Sequence, residues 1–278
     1  MSSIKDRQRA AARARLEKEM AERAAAAHKR RQRQAIIGSA IAVVAIAGAA
    51  VWLVSALHDD KKKTSASSAP AGTVACTWTP ASAQGGGKVK DVGGMPPANV
   101  PNHGTALLTM NTNLGKVEAT IDLSKTPCTG ASFAFLASKK FWDNTKCHRL
   151  VSQDAFKVLQ CGDPFASGKG YRATDGTGGP SYTMGEENLP TDSNNPYPAG
   201  SIAMANTGQP GSTGSQFFIC AENTKLPANY TLLGKVTTGL NIIQDVVKAG
   251  DDGAFKEQAG GGHPKKEIDI TTMTMAAA

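Results

Sequence analysis

The 278 residues carry a net charge of +8 at pH 7, but residues 1–35 alone hold eleven Lys or Arg against four Asp or Glu, so the remainder is close to neutral. That length allows one substantial domain with appendages. A nearly neutral body with no basic cluster and no reading element excludes a nucleic-acid footprint.

Residues 1–35 mix Ala with Lys, Arg and Glu. This composition predicts a solvated, basic helical segment, supported by a Glu19–Arg23 i,i+4 pair. The stretch "IIGSAIAVVAIAGAAVWLVSAL", residues 36–57, has 22 residues and no charge. About 20 apolar residues suffice to cross the hydrocarbon core, so a transmembrane helix is predicted. Arg30, Arg31 and Arg33 precede it and Asp59 and Asp60 follow. The positive-inside rule then places the N-terminus in the cytoplasm and the rest outside the cell membrane. A signal peptide cleaved after Val54-Ser55-Ala56 is the alternative, although both the basic region and the apolar run are long for one. Residues 58–99 read as a linker and N-terminal lead, with residues 81–104 loop-like around Gly85–Gly87, Gly93–Gly94 and Pro96–Pro97. The folded domain is assigned to residues 100–278.

Within that domain, "ALLTMNTNLGKVEATIDL" predicts two strands around a turn at Asn113–Gly115. A helix enters after Pro127, with Phe133, Leu136 and Ala137 on one face. "KCHRLV", "FKVLQC", "SIAMAN", "SQFFICA" and "YTLLGKV" predict short strands. "TGLNIIQDVVKAG" predicts a second helix, with Leu240, Ile243 and Val247 on one side and Gly250 at its end. "EIDITTMTM" is a last strand. Many short strands with two helices point to an antiparallel sheet closed on itself, since closure removes exposed edges.

Several chemistries are absent from the pattern. "DGTGGP", residues 175–180, lacks the strand-to-helix setting and lysine of a phosphate loop. The five histidines have no metal-ligand spacing, and no nucleophile elbow is present. The loop-rich "GSIAMANTGQPGSTGSQFFIC", residues 200–220, contains neither acid nor base. It is either a plain hairpin or one wall of a binding site.

"CHRLVSQDAFKVLQCGDP", "GTGGP", "SIAMANTGQPGSTGSQFFIC" and "YTLLGKV" stand in the order found in cyclophilin-type peptidyl-prolyl isomerases. From about residue 104 to 276 the chain resembles that family, with most similarity to membrane-anchored cyclophilins of actinobacteria. The resemblance implies a mainly β fold, an eight-stranded antiparallel barrel capped by two helices, and cofactor-free cis/trans isomerisation of X–Pro bonds. It implies catalytic roles for Arg149 and Gln160. It also implies substrate contacts from Phe156, Val158, Gly176, Ala205, Asn206, Thr207, Gln216, Phe218, Leu226 and Tyr230. Phe156 is preferred over Lys157 for the pocket phenylalanine, because alternation from Gln160 puts Val158 and Phe156 on its face if no bulge intervenes. Phe217 is expected to point the other way, into packing.

The chain departs from the family where Lys225 replaces a frequent tryptophan and Tyr230 a frequent histidine. The first change implies weak cyclosporin binding rather than lost activity. All five cysteines follow the apolar segment, as an oxidising compartment would permit. Cys147 with Cys161, and Cys76 with Cys128, are the disulfide candidates, leaving Cys220 as a buried thiol. The partners implied are proline-containing peptides and unfolded or exported proteins, with membrane lipid around the N-terminal helix and a monomeric isomerase domain. The alternative function is a non-enzymatic peptide-binding or chaperone module that keeps the barrel.

Overall fold

The computed structural model describes residues 70–81, 88–257 and 259–278. The expectations for residues 1–69, including the basic helix, the membrane span and its cleavage, lie outside the described residues. Among the described residues no helix is long and apolar enough to cross a membrane.

The described residues of the lead and the start of the domain contain four short strands: β1 (Thr73–Ala75), β2 (Thr79–Pro80), β3 (Val89–Lys90) and β4 (Asn99–Pro101). The last two fall inside the stretch expected to be loop, because two or three residues are too few to show a period. Next come β5 (Thr105–Thr112), β6 (Gly115–Asp122), a first helix (Pro127–Ser138), β7 (Thr145–Lys146), β8 (Arg149–Gln153) and β9 (Phe156–Cys161). The chain continues through β10 (Gly179–Pro180), β11 (Tyr182–Thr183), β12 (Ser201–Met204), β13 (Phe217–Cys220) and β14 (Leu232–Thr238). A second helix (Leu240–Ala249) and β15 (Asp269–Ala277) complete the order.

Among the described residues the result is mainly β, a half-barrel with two helices. Its large sheet runs β7-β15-β5-β6-β14-β12-β13-β9-β8, all antiparallel. Nine strands appear where eight were expected because the stretch 145–153 changes partners midway. Lys146 lies opposite Asp269 of β15, whereas Arg149 lies opposite Gln160 of β9. Between them the Cys147 N–H donates to the Ile268 carbonyl and the His148 N–H to the Gln160 carbonyl, each at 3.1 Å. One continuous stretch thus joins the two ends of the sheet. In the lead, β1 pairs with β4, while β3 and β2 pair with β10 and β11.

Strand alternation sorts the side chains into two apolar bodies. The main core takes Leu108, Ile121, Leu150, Leu159, Ile202, Phe217 and Ile219, together with Phe133 and Leu136 of the first helix and Trp142. The opposite face carries a smaller cluster of Val151, Val158, Tyr197, Ala203, Phe218 and Cys220. Pro127 starts the first helix, where its missing N–H costs nothing. The Glu187 carboxylate accepts the free N–H groups of Cys128 at 3.0 Å and Thr129 at 2.8 Å. The second helix buries Ile243, Val246 and Val247.

Both candidate cysteine pairs are disulfide-bonded. Cys76–Cys128 ties the lead to the first helix, and Cys147–Cys161 crosses between the closing stretch and the end of β9. Cys220 is free and buried, and burial pushes its thiol pKa up to about 12.

β8 and β9 are joined by a two-residue turn, Asp154–Ala155, in which Ala155 has φ 60°. A left-handed L-residue costs about 1–2 kcal/mol, and glycine removes that strain at an entropic cost of roughly 0.5–1 kcal/mol. Ala155→Gly is therefore expected to stabilise the fold by about 1 kcal/mol or less. A melting curve should show Tm rising by a few degrees, and a lower Tm would mean that the alanine is not strained there.

Candidate active site

The register of β8, β9, β13 and β12 places four residues in one lateral row. Arg149 is opposite Gln160, Gln160 is opposite Phe218, and Phe218 is opposite Ala203. Directly opposed residues in antiparallel strands share a face, so this row lies on the face away from the main core. The β8–β9 register is unbroken, so no bulge intervenes. Val158 and Phe156 therefore follow Gln160 onto this face, and Phe156 packs against the small cluster. Lys157 points elsewhere and meets Glu222 at 2.8 Å. Phe217 is in the main core, and Phe218 is in the outer cluster.

A chain of side-chain hydrogen bonds runs along the polar edge of this surface. Arg149 Nη1 donates to Gln160 Oε1 at 3.0 Å, and Gln160 Nε2 donates to Gln216 Oε1 at 2.9 Å. Gln216 Nε2 then donates to the carbonyls of Gly176 at 2.8 Å and Gly178 at 3.0 Å. Arg149 is further held by Nε to the Gly260 carbonyl at 3.1 Å and by Nη2 to the Ala259 carbonyl. Partial burial lowers the guanidinium pKa, and the neighbouring Tyr230 opposes the shift. The Cys147–Cys161 disulfide ties the link two residues before Arg149 to the end of β9, next to Gln160.

The apolar floor lies next to this edge. Phe218 is 5 % exposed. Its ring meets Tyr230 edge-on at 5.5 Å and Tyr197 at 5.9 Å. Ala205, Leu226 and Tyr230 are partly buried against the same cluster. The Ala205 N–H is already used by the Gln216 carbonyl at 2.9 Å. Asn206 bridges two loops, donating to the Asn229 carbonyl at 2.9 Å and accepting from the Gly208 N–H at 3.0 Å. Thr207 is exposed, with its N–H on Ser212 Oγ at 3.1 Å. Lys225 is exposed beyond Leu226, and its N–H bonds to the Ala155 carbonyl at 2.9 Å.

Gly176 has a reason beyond the rim it forms. It sits at φ 92°, and a Cβ there would lie 2.8 Å from His148 Cδ2. His148 is buried directly beneath, and neither ring nitrogen has a hydrogen-bond partner. Asp163 Oδ2 accepts the N–H groups of Gly176 at 2.7 Å and Gly178 at 3.1 Å, which fixes the loop from below. Burial pushes the His148 pKa down from 6.5 to about 4, against the attraction of Asp163 and Asp175. The unfolded chain therefore takes up this proton first as pH falls. The stability that neutral His148 contributes is whole above pH 6.5, declines between 6.5 and about 4, and is gone below. At about 1.4 kcal/mol per pH unit this amounts to roughly 3 kcal/mol. Urea midpoints measured across that window should fall with pH, and His148→Asn should flatten the fall. An unchanged slope in the variant would assign it to other groups.

Sequence reasoning missed Tyr197, His148, Asp163 and the Ala259–Gly260 carbonyls. Tyr197 is fully buried, and its hydroxyl accepts the Tyr230 N–H at 3.0 Å while lying 3.1 Å from the Pro227 carbonyl. It thereby sets the position of the loop that carries Leu226 and Tyr230. An aromatic residue isolated among the turn formers of "SNNPYPAG" was the available signal.

Comparison with known proteins adds the following. The family model for "Cyclophilin type peptidyl-prolyl cis-trans isomerase/CLD" matches residues 107–275. The "Probable peptidyl-prolyl cis-trans isomerase B" of Mycobacterium leprae is 37% identical over 182 residues, covering 62% of this chain and 57% of the relative. The chain thus spans little more than half the length of that relative. The Arabidopsis thaliana "Peptidyl-prolyl cis-trans isomerase CYP18-1" is 33% identical over 172 residues, 61% of this chain and 96% of the plant protein. A crystal structure of a Cryptosporidium parvum cyclophilin-type peptidyl-prolyl cis-trans isomerase, in the presence of the dipeptide Ala-Pro, superposes with a TM-score of 0.48 at 24% identity. It covers 62% of this chain and 99% of that one.

Proposed function

The chain belongs to the cyclophilin-type peptidyl-prolyl cis-trans isomerase family, and from that premise we propose that it catalyses cis/trans isomerisation of X–Pro bonds in polypeptides. The observation that carries this reading is the lateral row itself. An arginine held by three acceptors stands in one row with Gln160 and Phe218, on the face away from the main core, where Phe156, Leu226 and Tyr230 are only partly buried.

The chemistry follows from the amide. Resonance keeps the peptide bond planar and sets a barrier of about 20 kcal/mol. Twisting the bond localises the lone pair on the proline nitrogen. A guanidinium beside that nitrogen donates a hydrogen bond that exists only in the twisted state, which is transition-state binding without a nucleophile. The proline ring rests on Phe218 among Phe156, Val158, Leu226 and Tyr230. Gln160 orients the arginine and keeps one amide N–H for the peptide carbonyl, while Gln216, both of whose amide N–H groups are taken by the Gly176 and Gly178 carbonyls, holds Gln160 in place. Ala205, Asn206 and Thr207 line the side that takes the residue before proline.

The test is exchange spectroscopy on X–Pro peptides with the purified, oxidised chain. Accelerated exchange is expected. Peptide binding without acceleration would replace the enzyme with a binding or chaperone module.

We further propose that the domain lies outside the cell membrane, anchored by residues 36–57 and acting on exported or cell-surface proteins. The uncharged 22-residue run and the two disulfides support it. Protease added to cells stripped of their wall should release the domain, whereas protection until lysis would reverse the orientation.

A further inference from the structure

The loop that follows the second helix ends on Arg149. Its base is zipped shut: the Asp252 N–H donates to the His263 carbonyl at 3.0 Å, and the Lys265 N–H donates to the Gly250 carbonyl at 3.0 Å. The Asp252 carboxylate completes the closure. Oδ1 accepts the N–H groups of Ala254 at 3.0 Å and His263 at 2.8 Å, and Oδ2 meets His263 Nδ1 at 2.8 Å. The His263 ring is stacked on Tyr171 at 4.4 Å and met edge-on by Phe255 at 4.8 Å.

From this base the tip reaches the strand that carries the arginine. Gly262 exchanges hydrogen bonds with Leu150, at 2.7 and 3.0 Å. Gly261, at φ 73°, lies so close that a Cβ would stand 2.0 Å from the Leu150 carbonyl oxygen. The two residues before it turn their carbonyls onto the guanidinium, Gly260 to Nε and Ala259 to Nη2. With Gln160 on Nη1, three of the five guanidinium N–H donors are occupied, each on a different nitrogen. That fixes the plane of the fork and leaves two donors for a substrate.

We infer that Asp252 is a positioning residue for Arg149: by closing this loop it holds the Ala259 and Gly260 carbonyls where they set the guanidinium plane. The inference rests on the isomerase reading only for its kinetic consequence. A guanidinium that can rotate about its last torsions keeps its charge but loses its aim, and misplacement of about 1 Å can cost on the order of 10²-fold in rate. Opening the loop therefore acts on kcat and leaves the apolar floor, and with it KM, largely intact.

The first readout needs no activity. In the full chain, the 15N-resolved Nε–H proton of Arg149 should exchange slowly with water, and Asp252→Ala should speed that exchange at least about tenfold. Asp252→Asn keeps an oxygen for the two backbone N–H groups and should restore most of the protection. The second readout is kinetic. Asp252→Ala is expected to lower kcat about tenfold with KM changed less than about twofold. In an Arg149→Lys background the same change should alter kcat less than about twofold, since its effect passes through the arginine. If Asp252→Ala does not fold, Gly260→Ala perturbs only the tip, where φ is 81°, and should give the same two signatures. Unaltered Nε–H protection in a folded variant, or an equal kcat loss with and without the arginine, overturns the inference. A chain inert toward every proline peptide would defeat the isomerase reading, while the exchange of this proton would still decide the role of Asp252.

Discussion

Arg149→Ala is expected to lower kcat/KM by roughly 10²-fold or more, about 2.7 kcal/mol of transition-state stabilisation, while leaving the fold intact. The guanidinium touches three acceptors, and two of them, the Ala259 and Gly260 carbonyls, lie on a loop at the domain edge where water can replace it. The main core does not include it. Arg149→Lys should restore little, because an ammonium on a flexible stem cannot hold Gln160, Gly260 and a substrate nitrogen at fixed angles. Exchange spectroscopy on a proline peptide gives the rate, and circular dichroism with a melting curve gives the control. A folded Arg149→Ala protein that retains near wild-type turnover would remove the arginine from the mechanism.

Phe218→Ala should show the opposite division. The ring is almost fully buried between Tyr197 and Tyr230, and in the proposed function it is the floor for the proline ring. Its removal should raise KM more than it lowers kcat. It should also cost about 3–5 kcal/mol of stability, as large-to-small changes at packed aromatic sites do. Urea unfolding measures the second effect, and peptide titration followed by NMR measures the first. Lower stability with unchanged peptide affinity would mean that Phe218 packs the outer cluster but floors no pocket.

The strands that carry these two residues were legible because alternation is a property of side chains. Alternation put Phe156, Val158 and Gln160 on one face of their strand and turned Phe217 away from Phe218 in theirs, and the register agrees and adds that Gln160 and Phe218 share a face. The helices were legible for the same reason, with Pro127 and Gly250 marking a start and an end. The stretch "KCHRLV", residues 146–151, was read as one strand because its residue pattern does not reveal the handover from β15 to β9 at Cys147–His148. Of the three acceptors around Arg149, Gln160 was legible and the other two were not at all. They are main-chain carbonyls of Ala259 and Gly260, and a carbonyl leaves no mark in residue type. His148 and Asp163 were hidden for a related reason. Their role depends on lying beneath Gly176, a proximity that arises only after the chain has turned back on itself.

The placement of two apolar bodies on opposite faces of one set of strands limits how this protein can change length. Phe156, Val158 and Gln160 face outward, and Leu159 and Cys161 face the core. One residue inserted within β9 would reverse that parity, sending Lys157 toward the site and its neighbours the wrong way. The same holds for β13, where it would exchange Phe217 and Phe218. Length variation among descendants of this chain should therefore collect at the Asp154–Ala155 turn and in the loops between β9 and β12. The strands themselves should drift in residue identity and keep their count.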